Sequence, residues 1–588
     1  MSSSAALYDN LSKIEQYFFD AMALALVGFY SYAAVLEPAA TQYHRGVYVI
    51  ITYILVFLIY RSQNKVLRVV DYLLIALSIL SIGYWIINFE AINYRSGAET
   101  ELDQYISVIG VLIGIEVARR VVGNVFVVIG AILLLYGVYG YASWIPEDLQ
   151  HAGDSFLGLC TSIFYKSDGV FGIMANVLAT YIILFVIFGA FLEKSGAQRF
   201  FIDFPLAAVG HKIGGPGKVS VIASGLFGSI SGSAIANTVS TGAFTIPMMK
   251  KAGFKPHVAG GIEPAASIGG MFMPPIMGAG GFIMAELTGV PYSQIMLIAI
   301  FPALMYFFSV FMMVHFEAKK HNIVGEKSDR NALDILKAEW FYITPLVVIT
   351  IFMLLGYSPG YSAILGLIAC LAVSWFRKET RIGPTRFIEA ARQGALSSLQ
   401  IGATLGVIGI IIGVLTYSGL VLTFADIVIE AADGKLWLTI LFVALASLVL
   451  GMGVPVTAAY LITAVVAVPA LTHLGVNLIA AHMIVYWLSQ DSNITPPVCI
   501  AAFAGATIAK ANMWKTAFTA FKFAKFLYLA PFLFGYVPAF SLDGSPADIG
   551  VAFALIIIGT WLYSWLLSGI WISFFRKSEA AASTESNH

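Results

Sequence analysis

Apolar stretches long enough to cross a lipid bilayer recur along nearly the whole chain. A helix needs about 20 apolar residues to span the hydrocarbon core. The 588 residues are 59% hydrophobic and only 11% charged, whereas soluble domains carry about 25% charged residues. This excludes a soluble enzyme, a disordered chain and a nucleic-acid-binding protein, and it predicts an all-α polytopic membrane protein.

Fourteen stretches are predicted to cross the membrane fully. They are 18–36, 46–61, 69–88, 104–119, 121–143, 172–193, 257–287, 292–316, 337–356, 359–376, 395–416, 476–509, 523–541 and 549–573. Two further apolar stretches, 218–249 and 435–472, are each interrupted by a cluster of Gly with Ser or Pro. Each is too long for one span and too tightly broken for two, which favours two re-entrant hairpins.

Positive charge predicts the orientation, because Lys and Arg concentrate on the cytoplasmic side. With a cytoplasmic N-terminus, only Arg45, Arg95, Lys166 and Lys435 of the 33 Lys and Arg residues fall outside. The C-terminus is then cytoplasmic as well.

The two interrupted stretches have matching surroundings. Residues 228–238 (GSISGSAIANT) precede GGMFMPP at 269–275, and residues 451–460 (GMGVPVTAAY) precede ITPPV at 494–498. Each half reads as a span, a surface helix, a hairpin, a Pro-Pro-interrupted span and a closing span. The halves start from opposite faces, so the sequence predicts an inverted repeat, which is typical of transporters with a site near the membrane midplane.

Broken helices free backbone groups that can bind ions, since carbonyls ligate cations and helix N-termini hold anions. Side-chain oxygens lie at the same interruptions, on Ser231, Ser233, Asn237, Thr457 and Thr495. Oxygen ligands suit a hard cation such as sodium, and no transition-metal site is predicted. The structural alternative is a pair of packed turns capped by hydroxyl groups.

Glu263 is the most informative single residue. It lies in an otherwise apolar span, about two helical turns before Gly270. A carboxylate inside a membrane is a functional hypothesis by default, because it could bind a proton, a cation or a cationic part of a substrate. The alternative is a structural carboxylate that neighbouring hydroxyls hydrogen-bond.

Asp491 and Asn493, just before Thr495, are predicted to line a pocket or to cap a half-helix. His482 is interpreted as a packing residue. The core spans contain no Arg or Lys, so an anionic substrate would depend on helix N-termini, hydroxyls and amides, or on Lys218 or Lys255 at the cytoplasmic edge.

Residues 231–242 (SGSAIANTVSTG) and 245–254 (TIPMMKKAGF) resemble the large permease subunit of TRAP (tripartite ATP-independent periplasmic) transporters. So do residues 451–460 and 494–504 (ITPPVCIAAFA). The resemblance covers roughly residues 170–575. The sequences of these motifs are most similar to those of the fused small/large (4TM/12TM) type that pairs with TAXI-type binding proteins. Residues 1–145 match the small-subunit role by helix count and position.

The resemblance implies a domain organisation. Residues 1–145 would be small-subunit-like scaffold helices with a linking helix, and 146–330 the first permease repeat. Residues 331–394 would be connecting scaffold helices, 395–575 the second repeat and 576–588 a polar cytoplasmic tail.

The resemblance also implies site residues. The ion-binding candidates are Ser231, Ser233, Asn237, Gly270, Gly451, Gly453, Thr457, Thr495 and Pro496. The substrate-pocket candidates are Ser233, Asn237, Glu263, Met273, Met452, Asp491, Asn493 and Thr495. The family usually has a small residue near Glu263, so this position departs from the pattern and leaves sodium and proton coupling both open.

The implied function is a bacterial inner-membrane importer that takes an organic acid from a periplasmic binding protein and works as an elevator. No cofactor and no nucleotide site are predicted, because no Gly-x-x-x-x-Gly-Lys-Ser/Thr run is present. A channel and a membrane-embedded enzyme fit less well, since the repeat argues against the first and no catalytic motif supports the second. The alternative is a stand-alone ion-coupled dicarboxylate carrier.

Overall fold

A computed structural model describes residues 4–62, 64–452 and 454–571, and its regular structure there is helical apart from one isolated bridge between Ile213 and Val324. Among the described residues, 10 helices are long and apolar enough to cross a membrane. This confirms an all-helical chain with many spans. The count of fourteen crossings stays a prediction, because several of those stretches form shorter or broken helices.

The chain divides into two compact units, and each is described by itself. The first unit comprises Met1–Ser195, Phe282–Tyr292 and Thr344–Gly475, and the second comprises Gly196–Gly281, Ser293–Ile343 and Val476–His588.

The N-terminal part of the first unit contains ten α-helices. They are α1 (Ser4–Asp9), α2 (Lys13–Val35), α3 (Thr41–Ile59), α4 (Lys65–Ile87), α5 (Phe89–Tyr94), α6 (Glu101–Val121), α7 (Asn124–Tyr139), α8 (Phe156–Tyr165), α9 (Ile173–Val177) and α10 (Ile183–Lys194). Helix α2 begins at a capping box, in which Ser12 and Glu15 satisfy each other's backbone N–H groups. A π-helical turn, Leu178–Ile182, joins α9 to α10.

The middle of the chain contains the first broken stretches. Its helices are α11 (Ala197–Val209), α12 (Gly215–Ser231), α13 (Ala234–Lys251), α14 (Pro256–Gly269), α15 (Gly280–Thr288), α16 (Tyr292–Lys320) and α17 (Ala332–Glu339). Helices α12, α13 and α14 pack on one another. The stretch predicted as a hairpin at 218–249 is therefore two packed helices that meet at Gly232.

The first unit then continues with seven helices. They are α18 (Thr344–Leu354), α19 (Pro359–Ser374), α20 (Pro384–Gly402), α21 (Leu405–Tyr417), α22 (Leu420–Ala431), α23 (Leu436–Leu450) and α24 (Val456–His473). The second predicted hairpin, 435–472, corresponds to α23 and α24, which pack on each other. The re-entrant course of both pairs and the inverted relation of the halves stay predictions.

The C-terminal part of the second unit contains α25 (Leu478–Ser489), α26 (Ile500–Ala509), α27 (Met513–Phe523), α28 (Phe526–Tyr536) and α29 (Pro546–Ser568). Both Pro-Pro segments interrupt helices, the first between α14 and α15 and the second between α25 and α26. The polar tail predicted at 576–588 lies outside the described residues.

The closing span of the second half differs from its prediction. It was expected to begin at 523, but a candidate span runs over Met513–Tyr536 with an interruption at Ala524–Lys525. Lys525, which the predicted stretch 523–541 already contains, is buried inside this candidate span, and the expectation that the core spans contain no Lys is wrong here. The four lysines between 510 and 525 indicated a loop, whereas Asn512 caps a helix by accepting from the Lys515 backbone N–H.

The N-terminal helices are integral to the first unit. Arg392 on α20 donates two hydrogen bonds of 2.7 Å, one to each carboxylate oxygen of Asp20 on α2. The guanidinium also lies 4.2 Å from the centre of the Tyr8 ring. A two-pronged pair of this kind fixes orientation as well as distance, so α2 is held in one register against α20.

We expect Arg392→Ala to lower the free energy of unfolding by about 1–3 kcal/mol, because it removes the cationic partner of the Asp20 carboxylate and leaves it only the Tyr8 hydroxyl. The measurement is thermal unfolding of the purified protein in detergent. Arg199→Ala is the matched control, since Arg199 is largely exposed beside Asp203 and its loss should change stability by less than about 0.5 kcal/mol. Equal melting temperatures for the two variants would contradict this role of Arg392.

Candidate functional site

The tip between α12 and α13 is a tight turn built from Gly232 and two of the predicted residues, Ser231 and Ser233. Gly232 adopts a left-handed conformation with φ of 61°, which a glycine reaches without steric cost. Ser233 caps α13, and its hydroxyl accepts from the Ala236 backbone N–H at 3.3 Å. Ser231 donates to the Ser233 carbonyl at 3.5 Å. The structure thus brings Ser231 and Ser233 together, with Ser233 in the capping role.

Asn237 is fully buried one turn beyond this tip. Its amide donates to the Ser224 carbonyl on α12 at 2.9 Å and to the Ser267 carbonyl on α14 at 3.4 Å. A Cβ added at Gly228 would lie 2.5 Å from that amide nitrogen and 2.8 Å from the Gly270 Cα. Only glycine permits this approach, which places the predicted residues Asn237 and Gly270 side by side.

The first Pro-Pro interruption is held by aromatic residues of α25. The Tyr486 hydroxyl lies 2.6 Å from the Met271 carbonyl and 2.5 Å from the Met277 carbonyl. Trp487 stacks on Phe272 with ring centres 4.0 Å apart. Met273 is half-buried within the same segment. Tyr486 and Trp487 were missed by the sequence reasoning, since nothing distinguishes them from other aromatic residues in apolar spans.

Glu263 lies inside a cage of hydroxyl groups. Ser220 donates to its Oε2 at 2.5 Å and Ser224 to its Oε1 at 2.6 Å. From the other arm of the hairpin, Thr241 donates to Oε1 and Thr245 to Oε2. The four donors form two i,i+4 pairs, one on α12 and one on α13, so each helix presents one hydroxyl face to α14.

The cage satisfies the carboxylate without a cation. Ser267, one turn along α14, adds a fifth and longer contact of 3.4 Å to Oε1. Glu263 is fully buried, and a buried charge is tolerated only when hydrogen bonds or opposite charge compensate it. The structure therefore gives Glu263 the hydrogen-bonded environment of the structural alternative, in a form that can also accept a proton.

The second interruption leaves polar atoms without protein partners. Gln490, Asp491 and Asn493 are buried at the end of α25. Both amide atoms of Gln490 and the Oδ1 atom of Asp491 lack a hydrogen-bond partner. Gln490 was missed by the sequence reasoning, although its position beside Asp491 could have suggested it. Unpaired buried polar atoms are costly, so the prediction that this break lines a pocket gains Gln490 as a further candidate.

Thr495 and Pro496 continue the same break. The Thr495 hydroxyl lies 2.5 Å from the Tyr528 hydroxyl of α28. The Thr495 backbone N–H donates to the Asp491 carbonyl at 2.8 Å, which keeps the segment in a compact turn. Pro496 follows directly and removes a further N–H donor from the chain.

The remaining predicted residues belong to the first unit. Gly451 caps α23, its N–H donating to the Ser447 carbonyl at 2.8 Å. Met452 is exposed, and the Thr457 hydroxyl is buried without a partner. Gly453 lies outside the described residues. The second set of candidates is thus divided between the units, with Gly451, Met452 and Thr457 in the first.

We expect Ser220→Ala to destabilise the second unit by about 1–3 kcal/mol, because the Glu263 carboxylate loses a short hydrogen bond. Ser229→Ala on the same helix is the control, since its hydroxyl bonds only the Leu226 carbonyl of its own helix and its loss should cost about 0.5 kcal/mol, the low end for a neutral hydrogen bond. Chemical or thermal unfolding of the purified protein measures the difference. If both variants unfold together, the cage carries no special stabilisation.

Comparison with known proteins identifies relatives. The family model "Tripartite ATP-independent periplasmic transporter, DctM component" matches residues 109–540. A putative TRAP transporter large permease protein of Haemophilus influenzae is 25% identical over 396 residues, 66% of this chain and 87% of the relative. The C4-dicarboxylate TRAP transporter large permease protein DctM of Pseudomonas aeruginosa is 24% identical over 398 residues, 66% of this chain and 92% of the relative.

A solved structure, the YdaH transporter of Alcanivorax borkumensis, covers 71% of this chain and 98% of its own with 16% identity and a TM-score of 0.47. A score this low supports no argument about the fold.

Proposed function

This chain belongs to the DctM component family of tripartite ATP-independent periplasmic transporters, and on that premise we propose that it is the membrane permease of a binding-protein-dependent secondary importer for organic acids. The match over residues 109–540 carries the proposal. Membership makes the chain a transporter permease rather than an enzyme, and a multi-pass protein of the bacterial inner membrane. The aromatic and hydroxyl-rich breaks of the second unit supply its binding chemistry.

The partner is a periplasmic substrate-binding protein, as for TRAP permeases generally. We assign this partner to the TAXI type because of the amino-acid sequences of the motifs at 231–242 and 494–504. We also interpret the chain as a fused small and large subunit. The family match begins at residue 109, and three candidate spans, α2, α3 and α4, precede that point. The bonds between Asp20 and Arg392 support a scaffold role for these helices.

The proposed substrate is a carboxylate. The name of the Pseudomonas aeruginosa relative states a C4-dicarboxylate, which favours this class for the present chain. The amide of Gln490 and the hydroxyl of Thr495 are suitable donors to a carboxylate. The Lys525 ammonium is buried without a hydrogen-bond partner in the same unit, and it supplies a candidate positive charge.

The coupling ion is sodium or a proton. Ser231, Ser233, Asn237 and Gly270 offer oxygen atoms to a sodium ion, as do Thr457 and Thr495 in the second half. Glu263 offers a proton-binding group instead, because burial disfavours its charged form. The hydroxyl oxygens of Ser220 and Ser224 lie at hydrogen-bonding distances of 2.5–2.6 Å from its carboxylate oxygens, and this close arrangement favours a proton over a metal ion at Glu263.

Transport is proposed to follow an elevator mechanism in an inverted-repeat core. The bonds of Asn237 and Glu263 tie α12, α13 and α14 together. Such a block can move as one body, since its polar groups are satisfied internally and need no rearrangement.

Uptake into proteoliposomes with the purified binding protein tests the proposal. Labelled C4-dicarboxylates are screened under an imposed sodium gradient and, separately, an imposed proton gradient. We expect uptake to require the binding protein and one of the gradients. Glu263→Gln should remove the pH dependence of uptake if the proton is the coupling ion. Uptake without any binding protein would favour the stand-alone carrier, and uptake without a gradient would contradict secondary transport.

We expect Ser233→Ala and Thr457→Ala to lower uptake at least about tenfold, because a lost ligand costs on the order of 1.4 kcal/mol or more in binding. The half-saturating concentration of the coupling ion should rise by a similar factor. Ser229→Ala, whose hydroxyl bonds within its own helix, is the control for altered packing. Normal uptake by both variants would show that the two hydroxyls are not ligands.

A further inference from the structure

Among the described cage residues, Thr241 is the only one whose hydroxyl contacts both Glu263 and Asn237; Ser224 and Ser267 reach Asn237 only through their backbone carbonyls. Its Oγ1 atom donates to Glu263 Oε1. The same atom lies 2.7 Å from the backbone carbonyl oxygen of Asn237 and 3.4 Å from the Asn237 side-chain oxygen. A threonine hydroxyl carries one hydrogen, so it can serve the carboxylate or Asn237 but not both.

We propose that Thr241 is a positioning residue that transmits the protonation state of Glu263 to Asn237 at the tip of the first hairpin. The inference deepens the coupling role given to Glu263 above and rests on that proposed function.

The number of hydrogens available to Glu263 and Thr241 defines two hydrogen-bonding states, one with Glu263 ionised and one with Glu263 protonated. An ionised carboxylate only accepts, so it takes the Thr241 hydrogen and the Asn237 carbonyl loses that bond. When a proton binds Oε1, the acid donates to Thr241 Oγ1, and the Thr241 hydrogen turns to the Asn237 carbonyl. Ser224 and Ser220 keep donating to the two carboxylate oxygens in both states. No covalent bond other than O–H changes, and the heavy atoms stay in place.

Asn237 carries the change to the hairpin tip. Its amide joins α12 and α14 through the carbonyls of Ser224 and Ser267. Its backbone N–H donates to the Ser233 carbonyl at 2.9 Å, so it makes the first backbone–backbone hydrogen bond from α13 to the tip. A bond gained or lost at the Asn237 carbonyl therefore changes how firmly the first two turns of α13 are held.

Among the residues that the structure describes, Glu263 forms no salt bridge. Helix α14 packs against α12, α13, α26 and α27, whose charged residues within these helices are Lys218, Lys250, Lys251, Lys515 and Lys522. Four of them contact other groups: Lys218 contacts His315, Lys250 the Ala509 carbonyl, Lys251 Glu326 and Lys522 Glu317. Lys515 and, on α14 itself, His257 lie in the first turns of their helices. The hydroxyl cage is left as the group that responds to a proton on Glu263.

Thr245 provides a matched control. It lies one turn after Thr241 on the same face of α13 and donates to the other carboxylate oxygen, Oε2. Its second contact is the Thr241 carbonyl at 3.1 Å, so it has the chemistry of Thr241 without the connection to Asn237.

Hydrogen exchange of the purified full-length permease at a single pH tests the inference, with Glu263→Gln as the neutral carboxyl mimic. We expect Glu263→Gln to slow exchange of amides 234–241 about 2- to 12-fold, the range that one net hydrogen bond supplies. In a Thr241→Val background the same change should alter exchange by less than about 1.5-fold, which is below the smallest factor that such a bond gives. In Thr245→Val and Thr241→Ser backgrounds the slowing should persist.

A Glu263→Gln effect that survives Thr241→Val, or that is lost in Thr245→Val, would overturn the inference, as would no effect in the wild-type background. Thr241→Ala replaces Thr241→Val if the latter does not fold. The assay contains no substrate, binding protein or gradient. Its failure therefore leaves the transport proposal standing, and the uptake measurement judges that proposal separately.

Discussion

The buried carboxylate of Glu263 sets the strongest constraint on the second unit. A charge in an apolar helix bundle must be compensated, and here the compensation comes from hydroxyls on two further helices rather than from a cation. Those hydroxyls reach Glu263 only if α12, α13 and α14 pack closely. The close packing depends in turn on the glycine contact between Gly228 and Gly270. The hairpin, its tip and the neighbouring break are thus parts of one arrangement.

Aromatic residues of other helices hold both helix breaks. Tyr486 and Trp487 belong to α25, the helix that leads into the second break, yet they bond and stack on the first break. Tyr528 of α28 in turn contacts Thr495 in the second break. Backbone groups freed in a membrane must find partners inside the protein. Each break therefore depends on contacts from a helix outside the break itself.

The sequence predicts where the helices break but not what the breaks contact. Gly232 and the Pro-Pro pairs are local signals, because their conformational limits act within the chain itself. The hydroxyl cage is different. Ser and Thr are common in membrane helices, so the spacing of Ser220 and Ser224 alone could not predict their hydrogen bonds to Glu263. Those bonds depend on the packing of α12 against α14. The interruption at Ala524–Lys525 contains neither Gly nor Pro, so no local signal predicted it, and the lysines between 510 and 525 placed the start of the span ten residues too late.

The Tyr486 hydroxyl has one hydrogen and two carbonyl neighbours at almost equal distance, Met271 at 2.6 Å and Met277 at 2.5 Å. The phenol can therefore exchange its bond from one acceptor to the other by rotating its hydrogen, without moving the ring. Such an attachment tolerates slippage: if the irregular segment lengthens on one side, the bond transfers to the other. The first break therefore stays hydrogen-bonded to Tyr486 through one acceptor or the other while its position shifts by a fraction of a helical turn.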